Sequence, residues 1–250
     1  YPILEYCYRH RGERGIKALI IYPMNALATD QAKRIAELIY GSDELRGNVT
    51  VGMYVGGQQH TPARTMSEHG VITDHETMLN NAPDILMTNY KMLDYLLGRP
   101  KDALLWQDNE PETLKYIAVD ELHTFDGAQG TDLACLLRRL KRRLGIYDGY
   151  LCCIGTSATM GSKENNSSIL NYAEEIFGEP FDKDAIITED RLSAQEFFAG
   201  AEVTEFTLPT VEQAIELEKL SEEDEPSAYL QSAVKDWLPN FSFDVLDENY

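Results

Sequence analysis

KALIIY, residues 17–22, is a strand-length run with almost no polar alternation, and such a strand persists only where both of its faces are covered. Further strands are expected at VTVGMYV (49–55), DILMT (84–88), LKYIAV (114–119) and YLCCIG (150–155). Helical patterns lie between them. In PMNALATDQAKRIAELI, Leu27, Ile35, Leu38 and Ile39, with Ala28 and Ala32 between, form a stripe at helical spacing. Leu133, Leu136, Leu137, Leu140 and Leu144 do the same before the last strand, and Asp126 with Gln129 matches a capping-box variant that would start their helix. At the start of the chain, Ile3, Leu4, Tyr6, Cys7 and Tyr8 read as a packed helix closed by Gly12 and Gly15. Strands alternating with helices up to about residue 160 predict an α/β fold whose parallel sheet is sandwiched by helices.

The run LKYIAV ends in VDELHTFDGAQG, which sets Asp120, Glu121 and His123 at the end of a buried strand. In an open parallel sheet that is where ligands bind. Consecutive residues there point in different directions, so one carboxylate can hold a divalent cation while the other orients a water molecule. Magnesium suits such a pair, because it prefers oxygen ligands, keeps several waters and binds through one or two carboxylates plus substrate phosphates. Taken alone, the four-residue pattern is better read as Asp120 and Glu121 ending the strand and starting a loop, with His123 a surface or packing histidine, because such short patterns recur by chance.

In context, Asp120, Glu121, Leu122 and His123 resemble the DExH box of superfamily 2 DEAD/DEAH-box helicases, and other segments follow in that family's order. YPMNALATDQ (22–31) resembles motif Ia, Gly56 and Gly57 the small-residue turn after it, MTNYKML (87–93) the next strand-contacting motif, and TSATM (156–160) the S-A-T motif. The wording GTDLACLLRRLKRR looks nearest to DNA helicases of the Lhr and MrfA kind. The resemblance implies a first RecA-like domain, with ATP as substrate and Mg²⁺ held by Asp120. It further implies that Glu121 positions or deprotonates the attacking water and that His123 couples nucleotide state to a second RecA-like domain. Ser157, Ala158 and Thr159 would link hydrolysis to movement. Asn25, Ala26, Gly56, Gly57, Thr88 and Asn89 would follow the backbone of a nucleic-acid strand, DNA rather than RNA. Physically, Asn25, Thr88 and Asn89 precede helices, whose free N–H groups suit phosphate, although Asn and Thr are favoured caps in any protein. The basic run Arg138, Arg139, Lys141, Arg142 and Arg143 is read as the solvated face of an amphipathic helix near its C-terminus, where the dipole favours cations.

One element of the family is missing. No lysine here is followed by Ser or Thr, so the chain holds no G-x-x-x-x-G-K-[ST] phosphate cradle. With a first residue of Tyr1, the expectation is a domain truncated at its N-terminus, exposing apolar surface where a strand is lost. The alternative is a catalytically dead helicase-like adaptor that binds nucleic acid or protein.

Charge divides the chain. Residues 1–160 carry 17 basic and 20 acidic side chains, whereas residues 161–250 carry 5 and 22 of the total net charge of -20. The first part is expected to be a partial helicase ATP-binding domain, and 161–250 an acidic, mostly helical connector or insertion, with helices near 167–177, 193–199, 210–220 and 227–237 and a loop at SEEDEP (221–226). Cys7, Cys135, Cys152 and Cys153 show no metal spacing and are expected as reduced core residues. With no long apolar stretch and no leader pattern, the protein is expected to be soluble and cytoplasmic, without a membrane partner.

Overall fold

The computed structural model describes residues 1–56, 61–157, 166–187, 210–222 and Ala233. The chain divides into two compact units, Tyr1–Thr188 and Glu189–Tyr250. In the first, α1 (Pro2–Arg9) precedes β1 (Ala18–Tyr22), α2 (Asn25–Tyr40), β2 (Val51–Tyr54), α3 (His75–Asn80), β3 (Ile85–Asn89) and α4 (Tyr90–Gly98). A 3-10 turn at Pro100–Trp106 leads to β4 (Tyr116–Val119), a second at Leu122–Thr124 to α5 (Gly127–Leu144), and then come β5 (Cys152–Gly155) and α6 (Asn166–Phe177).

All five strands fall where the sequence places them and form one parallel sheet in the order β2-β3-β1-β4-β5. Side chains alternate across a strand, and that alternation builds two cores. Leu19, Ile21, Leu86, Ile117 and Val119 pack with the leucines of α4 and α5 and with Ile176 and Phe177 of α6. Ala18, Tyr22, Val51, Met53, Ile85 and Met87 pack with Leu4 and Cys7 of α1 and with Ala28, Ala32, Ala36 and Ile39 of α2. The expected α/β sandwich is thus present, with the sheet's central strands covered on both faces.

Local expectations fare unevenly. All five leucines of α5 are buried, but Leu38 of α2 is 42% exposed, because Ala28, Ala32, Ala36 and Ile39 seat that helix on the sheet. Asp126 occupies the N-cap of α5 without a side-chain capping bond. Gly127 follows in a left-handed conformation (φ 52°), which turns the first helical turn away from the geometry of a capping box. Lys141 departs from the solvated face: it is buried, and its Nζ lies 2.8 Å from Glu179 Oε1. Among the cysteines Cys7 is buried, but Cys135 lies on the open face of α5 and Cys152 on the sheet's edge strand, both exposed. The helix expected at 167–177 is α6, and it belongs to the sheet-bearing unit, packed on α5.

In the second unit the helix Val211–Glu222 begins with a reciprocal pair, Gln213 N–H to Thr210 Oγ1 (3.3 Å) and Thr210 N–H to Gln213 Oε1 (2.8 Å), a capping box. It runs through Ser221 and Glu222, where a loop is expected; the segments expected at 193–199 and, apart from Ala233, at 227–237 lie outside the described residues. Among the described residues no helix is long and apolar enough to cross a membrane.

Candidate functional site

Because every strand runs the same way, their C-terminal ends share one edge, and the order of the strands becomes an order of side chains along it. Gly56 follows β2, Asn89 ends β3, Asn25 follows β1, Asp120 and Glu121 follow β4, and Thr156 and Ser157 follow β5. One half of the edge is polar and uncharged, and the other is acidic.

In the uncharged half, Asn89 is the N-cap of α4, its Oδ1 accepting from Met92 N–H at 2.7 Å. Its Nδ2 donates to Asn25 Oδ1 at 2.6 Å, and Asn25 Nδ2 donates to Gly56 O at 2.9 Å. Three residues remote in sequence thus form one hydrogen-bonded chain across three strand ends. Asn25 is not itself a cap, because α2 begins at Asn25 after an uncapped Met24; its amide serves as the bridge instead. Ala26 is exposed in the first turn of α2. Thr88 is fully buried, with its hydroxyl donated to Tyr54 O at 2.7 Å, so it ties β3 to β2 instead of facing a strand. Gly57, Ala158 and Thr159 lie outside the described residues.

In the acidic half, Glu121 takes a left-handed backbone (φ 51°, ψ 49°) and is the single non-glycine residue with positive φ among the described residues. Such strain costs on the order of 1–3 kcal/mol and persists where the surroundings impose it. The imposing contacts come from β1 and from Thr156, just after β5. Asp120 N–H bonds Ile21 O (2.9 Å), Leu122 N–H bonds Thr156 O (2.8 Å), and Glu121 N–H bonds Thr156 Oγ1 (3.1 Å), while that hydroxyl donates to Asp120 Oδ1. Gly155 permits the approach, since a Cβ there would stand 2.6 Å from Leu122 Cδ2. From the other side Tyr172 of α6 donates to the carbonyls of Leu122 (3.3 Å) and Phe125, bracketing His123.

His123 Nδ1 lies 2.9 Å from Ser157 Oγ and 3.3 Å from Glu121 Oε2. The second distance is that of an ion pair, yet Glu121 Oε2 is buried without a hydrogen-bond partner, so the contact is electrostatic and unaligned. A proton on Nδ1 is the sensible tautomer, because a bare lone pair would face a carboxylate. An orphaned buried carboxylate oxygen is costly, and a hydrogen-bond donor such as a water molecule would satisfy it. Tyr22, at the end of β1, has its hydroxyl pKa pushed up by burial and, second, by the charge of Asp120.

The donor set agrees with magnesium and not with a closed cage. Among the described residues no cluster of three or more His, Cys, Asp or Glu could hold a metal, so a cation at Asp120 would complete its shell with water and phosphate oxygens.

Neither Thr156 nor Tyr172 stands out in the sequence. Thr156 could have been found by its position beside S-A-T, but Tyr172 has no local signal, lying in a segment set apart by its acidity.

The profile of the DEAD/DEAH box helicase family matches residues 1–167, and the chain belongs to that family. It is similar to the Druantia protein DruE of Escherichia coli (strain UMEA 4076-1), 37% identical over 115 residues covering 43% of this chain and 6% of DruE. It is also similar to the protein named Uncharacterized ATP-dependent helicase YprA of Bacillus subtilis (strain 168), 29% identical over 165 residues, 66% of this chain and 19% of that protein. Among solved structures, the DUF1998 helicase MrfA aligns over 100% of this chain and 34% of its own with a TM-score of 0.51 and 24% identity, a likeness of fold. The chain thus spans less than a fifth of the length of the two curated relatives.

Proposed function

We propose that this chain is part of an ATP-dependent DNA helicase or translocase and supplies the carboxylate half of its ATP-hydrolysing site. The observation that carries the reading is the pair Asp120 and Glu121 at a strand end, with Glu121 held in a left-handed conformation and one of its carboxylate oxygens buried without a hydrogen-bond partner. Asp120 would hold Mg²⁺ directly or through its water, and the bound cation would neutralise charge on the nucleotide's phosphates. Glu121 would orient a water molecule for in-line attack on the γ-phosphorus. The new phosphorus–oxygen bond forms as the bond to the β–γ bridging oxygen breaks, giving ADP and inorganic phosphate. An ordinary carboxylate is a weak base at neutral pH, so positioning is the larger part of that role.

His123, lying between Glu121 and Ser157, would sense the state of the nucleotide and pass it through Ser157, Ala158 and Thr159 to a second RecA-like domain. Asn25, Ala26, Gly56, Gly57 and Asn89 would carry the backbone of a DNA strand, with RNA the weaker candidate. The two helix starts, together with Gly56 and Gly57, would offer N–H groups to phosphates without reading bases. A phosphate cradle is not among these 250 residues, so the chain alone is proposed to hydrolyse ATP weakly or not at all, and the activity belongs to the complete protein.

In the complete protein, Glu121→Gln is expected to lower DNA-stimulated ATP hydrolysis about 100-fold or more while nucleotide binding persists. Unchanged turnover in that variant would remove Glu121 from the mechanism. A wild-type protein that binds DNA and never hydrolyses ATP would establish the adaptor instead.

A further inference from the structure

Thr156 makes four hydrogen bonds to four consecutive residues of the neighbouring strand end. Its N–H donates to Val119 O (3.0 Å), its hydroxyl donates to Asp120 Oδ1 and accepts from Glu121 N–H (3.1 Å), and its carbonyl accepts from Leu122 N–H (2.8 Å). The two backbone bonds would form with any residue. The two hydroxyl bonds need Ser or Thr, and they support each other: a hydroxyl has one proton, and giving it to Asp120 leaves oxygen lone pairs for the Glu121 N–H. A hydrogen bond to an ionised group is also the stronger kind.

We propose that Thr156 is a positioning residue of the phosphoryl-transfer site, which sets the geometry of both acids through one hydroxyl. The inference rests on the roles given above to Asp120 and Glu121. By donating to Asp120 Oδ1, Thr156 would fix the orientation of the carboxylate that would hold the cation or its water. By capturing the Glu121 N–H, it holds the left-handed backbone from which the Glu121 side chain departs. Ser157, the next residue, contacts His123, so the segment after β5 grips Asp120, Glu121 and His123 within two residues. A movement of that segment would therefore change the acid pair itself, and Thr156 would couple the two motifs through the acids as well as through the histidine contact.

The test uses the complete protein with Thr156→Val, which keeps the shape and loses the hydroxyl, and Thr156→Ser, which keeps the hydroxyl. Thr156→Val is expected to lower kcat about 10- to 100-fold, the scale of a roughly 1 Å misplacement, with KM for ATP within about threefold. It is also expected to raise the Mg²⁺ concentration giving half-maximal rate, and Thr156→Ser to restore both. Should the valine variant fail to fold, Thr156→Ala, which also lacks the hydroxyl, replaces it with the same expectations. A purely structural role would lower the melting temperature and leave the Mg²⁺ midpoint where it was. Wild-type kcat and Mg²⁺ midpoint in the hydroxyl-less variant, or a serine variant as impaired as that variant, overturns the inference. Glu121→Gln separates the two levels. If Glu121→Gln turns over normally, the hydrolytic reading itself fails; if it is inactive while the hydroxyl-less variant is normal, only the role of Thr156 fails.

Discussion

The edge of the sheet opposite the acids is fastened by a buried ion pair, Lys17 with Asp84. Lys17 is 1% exposed, and its Nζ lies 2.7 Å from Asp84 Oδ1 while also donating to the carbonyls of Glu13 (2.6 Å) and Gly15 (3.4 Å). Asp84 Oδ2 accepts from both the N–H and the hydroxyl of Thr50 at 2.7 Å, so one carboxylate joins the starts of β1, β2 and β3. Removing one partner of a buried pair costs about 3–5 kcal/mol, because the other charge is left without compensation. For Asp84→Asn the loss is expected at the low end, about 3 kcal/mol, since two carbonyls still face the ammonium and the side chain of Asp84 is 13% exposed. Asp84→Ala also strands Thr50, and about 4–5 kcal/mol is expected. Against a total stability of about 5–15 kcal/mol either change is severe. Lys17→Met removes the charge that Asp84 answers, so the double variant Lys17→Met, Asp84→Asn should be less destabilised than the sum of the singles by about 2 kcal/mol. Urea unfolding followed by circular dichroism on all four proteins gives the coupling. A coupling below about 0.5 kcal/mol would show that the pair acts as two independent surface charges, contrary to its burial.

Two further outcomes concern the cap of α4 and the cysteines. Asn89→Ala removes the capping bond to Met92 and the bridge to Asn25, and is expected to cost about 1 kcal/mol in the same assay, with Asn89→Asp recovering most of it because an acceptor remains at the cap; equal losses in the two variants would show that the cap is not what matters. The thiols of Cys7 and Cys153 are both pushed up from 9.0 to about 12, by burial first. A raised folded pKa means that the unfolded chain gives up its thiol protons first, so this contribution is whole below about pH 9 and drains away between pH 9 and 12. Iodoacetamide at pH 8 should accordingly modify the exposed Cys135 and Cys152 quickly, and Cys7 and Cys153 slowly, as read by mass spectrometry; four equal rates would contradict the burial.

The sequence alone determined the sheet and the ends of its strands. Each apolar run is short, bounded and set between helical patterns, which leaves few alternatives to a parallel α/β sheet, and the order of the motifs sets Asp120, Glu121, Asn25 and Asn89 at strand ends. That much is local, because hydrophobic period and turn chemistry are written in consecutive residues. Tertiary structure decided what those ends do to one another. The strand order β2-β3-β1-β4-β5 interleaves segments far apart in the chain, and only that order makes Asn89, Asn25 and Gly56 one chain of bonds. The same order gives Thr156 its grip on residues 119–122 and buries Thr88 as a strut. Tyr172 shows the limit most plainly: its hydroxyl holds the turn around His123 from 47 to 50 residues away. A hydrogen bond of that span depends on how α6 packs on α5, a fact of surface complementarity that no pattern of neighbouring residues records.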